Sequence, residues 1–141
     1  MKNPKELADV RDMILSLSRK FRGDLKKRLA KSGTGITPLA YNLLCLLENR
    51  TLTLREIARE MEINPPTLVA AADILEKKNL LTRTMDKSDR RRTPLQITKA
   101  GALLLKKIPK VSRADLLATG FEKLNKNQRV ELKRLLSKLL S

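Results

Sequence analysis

Residues 53–101 of this chain are TLREIAREMEINPPTLVAAADILEKKNLLTRTMDKSDRRRTPLQITKAG, and this stretch decides the fold. Thr53, followed three residues later by Glu56, has the pattern of a capping box, which predicts the start of a helix. A second helix is predicted to start where Asn64 precedes Pro65, because a side-chain cap and a proline at the first helical position favour initiation. The stretch therefore begins with two successive helices joined by a short turn.

A β-hairpin follows the second helix, which is predicted to end near Asn79 because that residue type tolerates the left-handed conformation. Two short, partly alternating runs, Leu80–Thr84 and Leu95–Ile97, predict its strands. The wing tip between them, residues 86–92, is DKSDRRR. Two helices and a charged hairpin in this order predict a winged helix-turn-helix over residues 37–98. The expected fold class is mainly α with a small β wing.

Both ends of the chain have the pattern of helices with one apolar face. We predict a helix over residues 4–31, and a last helix that begins at Asn125 with Gln128 in the capping position. Residues 1–141 are predicted to form a single domain. One subunit cannot cover such apolar faces, so residues 4–31 and 99–141 are predicted to pair with the same residues of a second subunit in a twofold dimer. The predicted interface residues are Leu7, Val10, Ile14, Leu17, Leu132, Leu136 and Leu139. The alternative is that both ends fold back onto their own subunit.

Two further helices are predicted between these regions. Thr37-Pro38 predicts the start of one that runs to about Glu48. Thr98 is predicted to cap another, which continues to Gly120. Pro109 should kink that helix, because a proline inside a helix removes a backbone hydrogen bond.

The chain is strongly basic. Its 141 residues include 31 Lys and Arg against 15 Asp and Glu, which gives a net charge of +16. A surplus of this size attracts polyanions such as nucleic acid, because phosphate neutralisation releases counterions. The alternative explanation of the charge is general solubility. A membrane surface is disfavoured because the paired anchor signals are missing.

The residue inventory disfavours catalysis and cofactors. Histidine is absent and Cys45 is the single cysteine, so an ordinary zinc site cannot be built, and no catalytic motif is present. We therefore predict a protein that is not an enzyme and has no cofactor. Cys45 lies in an apolar run and is expected to be a small core residue rather than a redox sensor. A cytoplasmic location is expected because neither a signal peptide nor a membrane span is visible.

Several motifs carry a family resemblance. They are Leu54-x-x-Ile57-Ala58, Leu75-Glu76-Lys77-Lys78-Asn79-Leu80-Leu81, and, most specifically, Asp86-x-x-Asp89-Arg90-Arg91 followed by Leu95-x-Ile97-Thr98-x-x-Gly101. By these motifs and by its helix order, nearly the whole chain resembles the multiple-antibiotic-resistance regulators (MarR), winged-helix repressors of bacteria and archaea.

The resemblance implies a homodimer that binds pseudo-palindromic double-stranded DNA, usually to repress transcription. It implies that the helix from Asn64 to Lys78 enters the major groove and that Arg91 enters the adjacent minor groove, oriented by Asp89. Members often lose DNA affinity when a small aromatic acid or another compound binds between the DNA-binding region and the dimer helices. A small aromatic effector is therefore an expected partner.

The residues predicted to contact DNA lie on the helix caps, the recognition helix and the hairpin: Thr53, Asn64, Pro66, Thr67, Val69, Ala70, Arg83, Lys87, Asp89, Arg90, Arg91 and Arg92. A narrow, A·T-rich minor groove concentrates negative potential, which suits Arg91. In a strand-like hairpin, Arg90 and Arg92 would point away from Arg91 and toward phosphates. Val69 and Ala70 cannot make the bidentate hydrogen bonds that distinguish bases. Sequence preference should thus be weaker than is typical, or depend on A·T-rich shape.

Two other functions stay open at this point. An architectural protein that coats DNA with low specificity would share the high charge and the apolar recognition helix, and continuous footprints would identify it. A winged helix that binds an acidic protein partner would keep its activity after the loss of Arg90, Arg91 and Arg92 together. RNA binding is disfavoured because aromatic residues, on which unstacked bases lie, are only 2% of the chain.

Overall fold

The computed structural model describes residues 2–141. The elements of these residues are, in chain order, α1 (Pro4–Ser32), α2 (Pro38–Leu46), α3 (Leu54–Met61), α4 (Pro65–Lys77), β1 (Leu81–Arg83), β2 (Leu95–Ile97), α5 (Lys99–Lys107), α6 (Leu116–Glu122) and α7 (Lys126–Leu140). A mainly helical chain with a small antiparallel sheet confirms the predicted fold class. The chain divides into two compact units, residues 28–109 on the one hand, and the residues up to Lys27 with those from Lys110 onward on the other.

Aliphatic side chains build the core of the unit formed by residues 28–109. The large side chains with almost no exposed surface are Leu43, Leu44, Leu47, Ile57, Leu68, Leu75, Leu81, Leu95 and Ile108. Because aromatic residues are scarce, branched aliphatic side chains supply the close packing of this interior. Helix α2 begins at the predicted cap, where Thr37 Oγ1 accepts a hydrogen bond from the Ala40 N–H at 3.2 Å. Cys45, on the same helix, is half-buried.

Helices α3 and α4 are joined by a tight turn. Thr53 Oγ1 accepts a hydrogen bond from the Glu56 N–H at 3.2 Å, and Glu56 Oε2 accepts one from the Thr53 N–H at 2.9 Å, which confirms the predicted capping box. Glu62 ends α3 with a left-handed φ of 52°. Asn79 has a φ of 58° just after α4, as predicted from its tolerance of that conformation.

The wing sheet has two strands. β1 and β2 pair antiparallel, with Leu81 opposite Ile97. Leu52 forms an additional bridge to Leu95, and the Leu95 N–H donates to the Leu52 carbonyl at 2.6 Å. The short segment before α3 is thereby attached to the wing strand that follows the tip.

The predicted kinked helix after Thr98 is wrong. Thr98 does cap α5, but the helix ends at Lys107, and Ile108 is extended with φ −118° and ψ 100°. A residue that precedes a proline is pushed out of the helical region, so Pro109 stops the helix instead of bending it. A separate helix, α6, follows, and Gly120 lies inside it instead of ending it.

The second unit combines the first part of α1 with α6 and α7. The buried Asp24 accepts hydrogen bonds from the Leu116 and Leu117 N–H groups, at 3.0 and 3.1 Å. A carboxylate bonded to the N–H groups of the first turn stabilises a helix of this length, because it satisfies backbone donors and opposes the helix dipole. Asn125 and Gln128 form the predicted capping box at the start of α7.

The residues predicted to form a dimer interface are all exposed in the single chain. The exposed fractions are 54% for Leu7, 40% for Val10, 47% for Ile14, 44% for Leu17, 37% for Leu132, 45% for Leu136 and 67% for Leu139. No helix among residues 2–141 is both long enough and apolar enough to cross a membrane.

Candidate nucleic-acid interface

The outward face of α4 carries small apolar side chains, and its N-terminus differs from the prediction. Pro66, Thr67, Val69 and Ala70 are exposed there. Asn64 occupies the N-cap position, but its side chain makes no capping hydrogen bond, so the expected side-chain cap is wrong. The physical reason is that the prolines at the first two helical positions have no N–H, and the Thr67 N–H bonds to the Asn64 carbonyl at 3.1 Å.

The wing tip is a compact turn instead of a strand-like hairpin. Asp86 Oδ1 accepts hydrogen bonds from the Ser88 hydroxyl at 2.6 Å and from the Ser88 N–H at 2.9 Å. The Arg92 N–H donates to the Asp89 carbonyl at 3.0 Å, which closes a turn around Arg90 and Arg91. The strand-like alternation expected for Arg90, Arg91 and Arg92 is therefore wrong, because these local bonds fold the tip back on itself. The hydrogen bonds from Ser88 also hold the pKa of Asp86 below its usual value.

Among the three wing arginines that form ion pairs in the described residues, Arg83, Arg91 and Arg92, Arg91 has the most exposed side chain. Its side chain is 97% exposed. Asp89 Oδ1 accepts a hydrogen bond from the Arg91 backbone N–H at 3.0 Å and lies 3.9 Å from its Nε. Asp89 thus fixes the backbone of Arg91 and only loosely holds its guanidinium. Lys87 and Arg90 are exposed on the same tip.

Arg92, in contrast, turns back toward α3. Its Nη2 lies 2.6 Å from Glu56 Oε1, and its Nη1 lies 3.4 Å from Asp86 Oδ2. The positive charge of Arg92 is therefore shared between two carboxylates. Sequence reasoning could not find this pairing, because Glu56 and Arg92 are 36 residues apart.

Arg83, at the end of β1, is likewise paired. Its Nη2 lies 2.5 Å from Asp73 Oδ1, and its Nε lies 3.1 Å from Glu76 Oε2. Both carboxylates belong to α4, so one guanidinium holds the wing strand β1 to α4. Neither carboxylate was among the residues predicted from the sequence.

A cleft of about 830 Å³ lies between the start of α3 and the wing. It is lined by Thr53, Leu54, Arg55, Glu56, Arg59, Arg83, Asp89, Arg91, Arg92 and Thr93. Arg55 and Arg59 are exposed and were missed in the sequence analysis. Their spacing of four residues on a capped helix places them on one face, which was the available signal. The cleft therefore joins five arginines, of which Arg83 and Arg92 are paired with carboxylates, to the N-terminus of α3, a combination that attracts phosphate.

A helix-turn-helix followed by a basic two-stranded wing defines a winged-helix protein. Residues 36–93 match the model of the MarR family. The chain is 31% identical over 110 residues to the HTH-type transcriptional repressor MdtR of Bacillus subtilis, covering 77% of this chain and 70% of that protein. It is 30% identical over 96 residues to the organic hydroperoxide resistance transcriptional regulator of the same organism, covering 67% of this chain and 64% of that protein.

The fold also matches the crystal structure of a mutant MarR from E. coli complexed with operator DNA. The TM-score is 0.79 at 21% sequence identity, with 96% of each chain covered. The chain therefore belongs to the MarR family, and it is a transcription regulator of that family. The two relatives from Bacillus subtilis are regulators and not enzymes, which confirms the prediction that this chain has no enzymatic function.

Proposed function

We propose that the protein is a homodimeric transcription repressor that binds a pseudo-palindromic DNA duplex. In each subunit α4 enters the major groove and the wing enters the adjacent minor groove. The observation that carries this proposal is the 97% exposed side chain of Arg91, at a turn fixed by Asp86 and Asp89. A guanidinium presented in this way suits a narrow minor groove, where the negative potential is strongest. The preferred flanks should accordingly be rich in A·T pairs.

The phosphate contacts that we propose lie on both sides of this arginine. Lys87 and Arg90 are exposed on the wing tip, and Arg55 and Arg59 are exposed on α3. The first residues of α3 and its cap, Thr53, Leu54 and Arg55, line the cleft and add the positive end of a helix dipole. The start of α4 is the weaker phosphate site, because Pro65 and Pro66 have no N–H to donate.

We further propose that residues 1–141 act as one MarR-type domain in which residues 4–31 and 99–141 dimerise and residues 37–98 contact DNA. The exposed apolar residues of α1 and α7 support this assignment. A twofold interface uses the same patch on both copies, and a stable one buries roughly 800 Å² per partner. Two long helices that each present an apolar face can supply that area.

The direction of regulation that we propose is repression relieved by an effector. The relative MdtR is named a repressor, and the family resemblance points to a small aromatic compound as the effector. A protein that regulates bacterial or archaeal transcription acts on DNA in the cytoplasm, so we expect it there.

Selection of duplexes from a random pool, with the subunit count measured by light scattering, tests this proposal. We expect a dimer that selects an inverted repeat, with half-sites about 10–10.5 base pairs apart or a multiple of that spacing. A protein that stays monomeric and binds no duplex at low ionic strength contradicts the proposal.

A second candidate function is low-specificity coating of DNA. The exposed Pro66, Val69 and Ala70 favour it, because these side chains lack hydrogen-bonding groups for base edges. Footprinting on a promoter separates the two functions. A discrete protected palindrome supports the repressor, and continuous protection supports the coating protein.

A further inference from the structure

A carboxylate lies at the centre of the exposed face of α4. Pro66, Ala70, Asp73 and Lys77 recur at spacings of four, three and four residues, which places them on one face of a helix. Leu68 and Leu75 are fully buried on the opposite face. An acidic side chain at the middle of a helix that enters a DNA groove is repelled by the phosphates, unless a cation accompanies it or a base donates to it.

Arg83 is the cation that accompanies Asp73. Its Nη2 donates a hydrogen bond to Asp73 Oδ1 at 2.5 Å, and its Nε lies 3.1 Å from Glu76 Oε2 in an ion pair. These contacts engage Nη2 and Nε of the planar guanidinium, and neither engages Nη1. The edge of the guanidinium that includes Nη1 can therefore bind a further acceptor, and Arg83 lines the cleft between the start of α3 and the wing.

This arrangement holds the Arg83 guanidinium in a position from which it can donate two hydrogen bonds to one further acceptor group. Two carboxylates restrict the rotation of Arg83, whose side chain is 33% exposed, so binding of a further acceptor requires little additional ordering. A guanidinium with one open edge matches the O6 and N7 acceptors of guanine in the major groove. Its bond to Asp73 keeps it on the face of α4 that, in the proposed function, meets the base edges.

We propose that Arg83, positioned by Asp73 and Glu76, recognises one guanine in each half-site. The inference rests on the proposed DNA-binding function and extends it, because it assigns base recognition to a strand residue while the exposed Pro66, Val69 and Ala70 of α4 offer no hydrogen-bonding side chain. Asp73 and Glu76 are positioning residues in this scheme. Their effect on DNA passes through the Arg83 guanidinium.

The test compares the motifs selected from a random duplex pool by the parent, Arg83→Lys and Arg50→Lys. Lysine keeps the charge but cannot hold two carboxylates and a guanine in one plane. Arg50→Lys is the matched control, because Arg50 is also paired with a carboxylate ten residues away, that of Glu60. We expect the parent and Arg50→Lys to select the same guanine, and Arg83→Lys to accept other bases there.

The affinity for a single duplex of defined sequence gives the size of the guanine preference. Replacing the selected G·C pair by A·T should weaken parent binding by roughly 5- to 150-fold, the equivalent of one bidentate contact, and should affect Arg83→Lys far less. Asp73→Ala should reduce the guanine preference and at the same time strengthen binding to unrelated duplexes, because it removes a negative charge from the interface. A purely structural ion pair would not produce these opposite changes.

The outcomes separate the inference from the proposed function. If the parent selects a motif that Arg83→Lys leaves unchanged, Arg83 contacts phosphate or only neutralises α4, and the inference alone fails. If the parent selects no shared motif, the inference fails together with the sequence-specific function on which it rests.

Discussion

Arg92 Nη2 lies 2.6 Å from Glu56 Oε1, so the tip of the wing is bonded to the first turn of α3. The other carboxylate oxygen of Glu56 accepts the Thr53 N–H of the capping box at 2.9 Å. One side chain therefore caps the helix and holds the wing. Because both side chains of the ion pair are more than one-third exposed, we expect its contribution to stability to be small. Its main consequence concerns which charges are available to DNA.

The first prediction contrasts Arg92→Ala with Arg90→Ala in DNA binding. Arg90→Ala should lower the slope of log affinity against log salt concentration by about one unit, if Arg90 neutralises one phosphate. Arg92→Ala should change that slope less, because Glu56 and Asp86 already neutralise Arg92. Fluorescence anisotropy over a salt series measures both slopes. Equal losses in the two variants would show that Arg92 leaves its carboxylates for a phosphate.

The contacts that could be predicted from the sequence and those that could not differ in how far apart the paired residues lie in the sequence. The capping box of Thr53 and Glu56 spans four residues, so a local pattern was enough to predict it. The pairing of Arg92 with Glu56 depends on how the wing folds against α3, and no local pattern contains that information.

Two local patterns were also misinterpreted. Asn64 has the sequence of a cap, but Pro66 lacks one N–H that the cap would bind, and the Thr67 N–H bonds to the Asn64 carbonyl instead. At Pro109, the prediction considered the lost hydrogen bond and not the extended conformation that proline imposes on Ile108. Pro66 acts through its own missing N–H, whereas Pro109 acts on the backbone of the residue before it. The prediction of a strand-like tip was wrong for a different reason. The Ser88 N–H and hydroxyl donate to Asp86 Oδ1, and these local hydrogen bonds fold the tip into a turn.

The second prediction concerns Arg91. Arg91→Ala should weaken binding to an operator with A·T-rich flanks and reduce the difference between A·T-rich and G·C-rich flanks, because the guanidinium responds to the potential of a narrow groove. The measurement is the affinity for two duplexes that share a core and differ only in these flanks. Arg90→Ala is the matched control and should weaken binding to both duplexes alike. Unchanged affinity of Arg91→Ala for both duplexes contradicts the proposed wing contact.

The third prediction compares two helix caps. Thr53→Ala should lower the free energy of unfolding by about 1 kcal/mol, because it removes the hydroxyl that accepts the Glu56 N–H. Asn64→Ala should cost less, since its side chain makes no capping hydrogen bond. Urea unfolding followed by circular dichroism, at one protein concentration, measures the difference. A larger loss for Asn64→Ala would mean that its side chain does cap α4 in solution.

The fourth prediction concerns the close approach of α5 to the start of the wing. A Cβ atom on Gly101 would lie 2.2 Å from the Leu80 carbonyl oxygen and 2.7 Å from Ile97 Cγ1, so the helix or the strand must move to accept a methyl group. Gly101→Ala should therefore lower the free energy of unfolding by about 1–3 kcal/mol, the usual cost of overpacking. Gly120→Ala is the matched control, because Gly120 lies in α6 with nothing within 4 Å of its added Cβ. That variant should be neutral or stabilised by up to about 1 kcal/mol, since alanine favours helices over glycine. Equal stability of the two variants, measured by urea unfolding, would mean that α5 and the wing are packed less closely than this geometry requires.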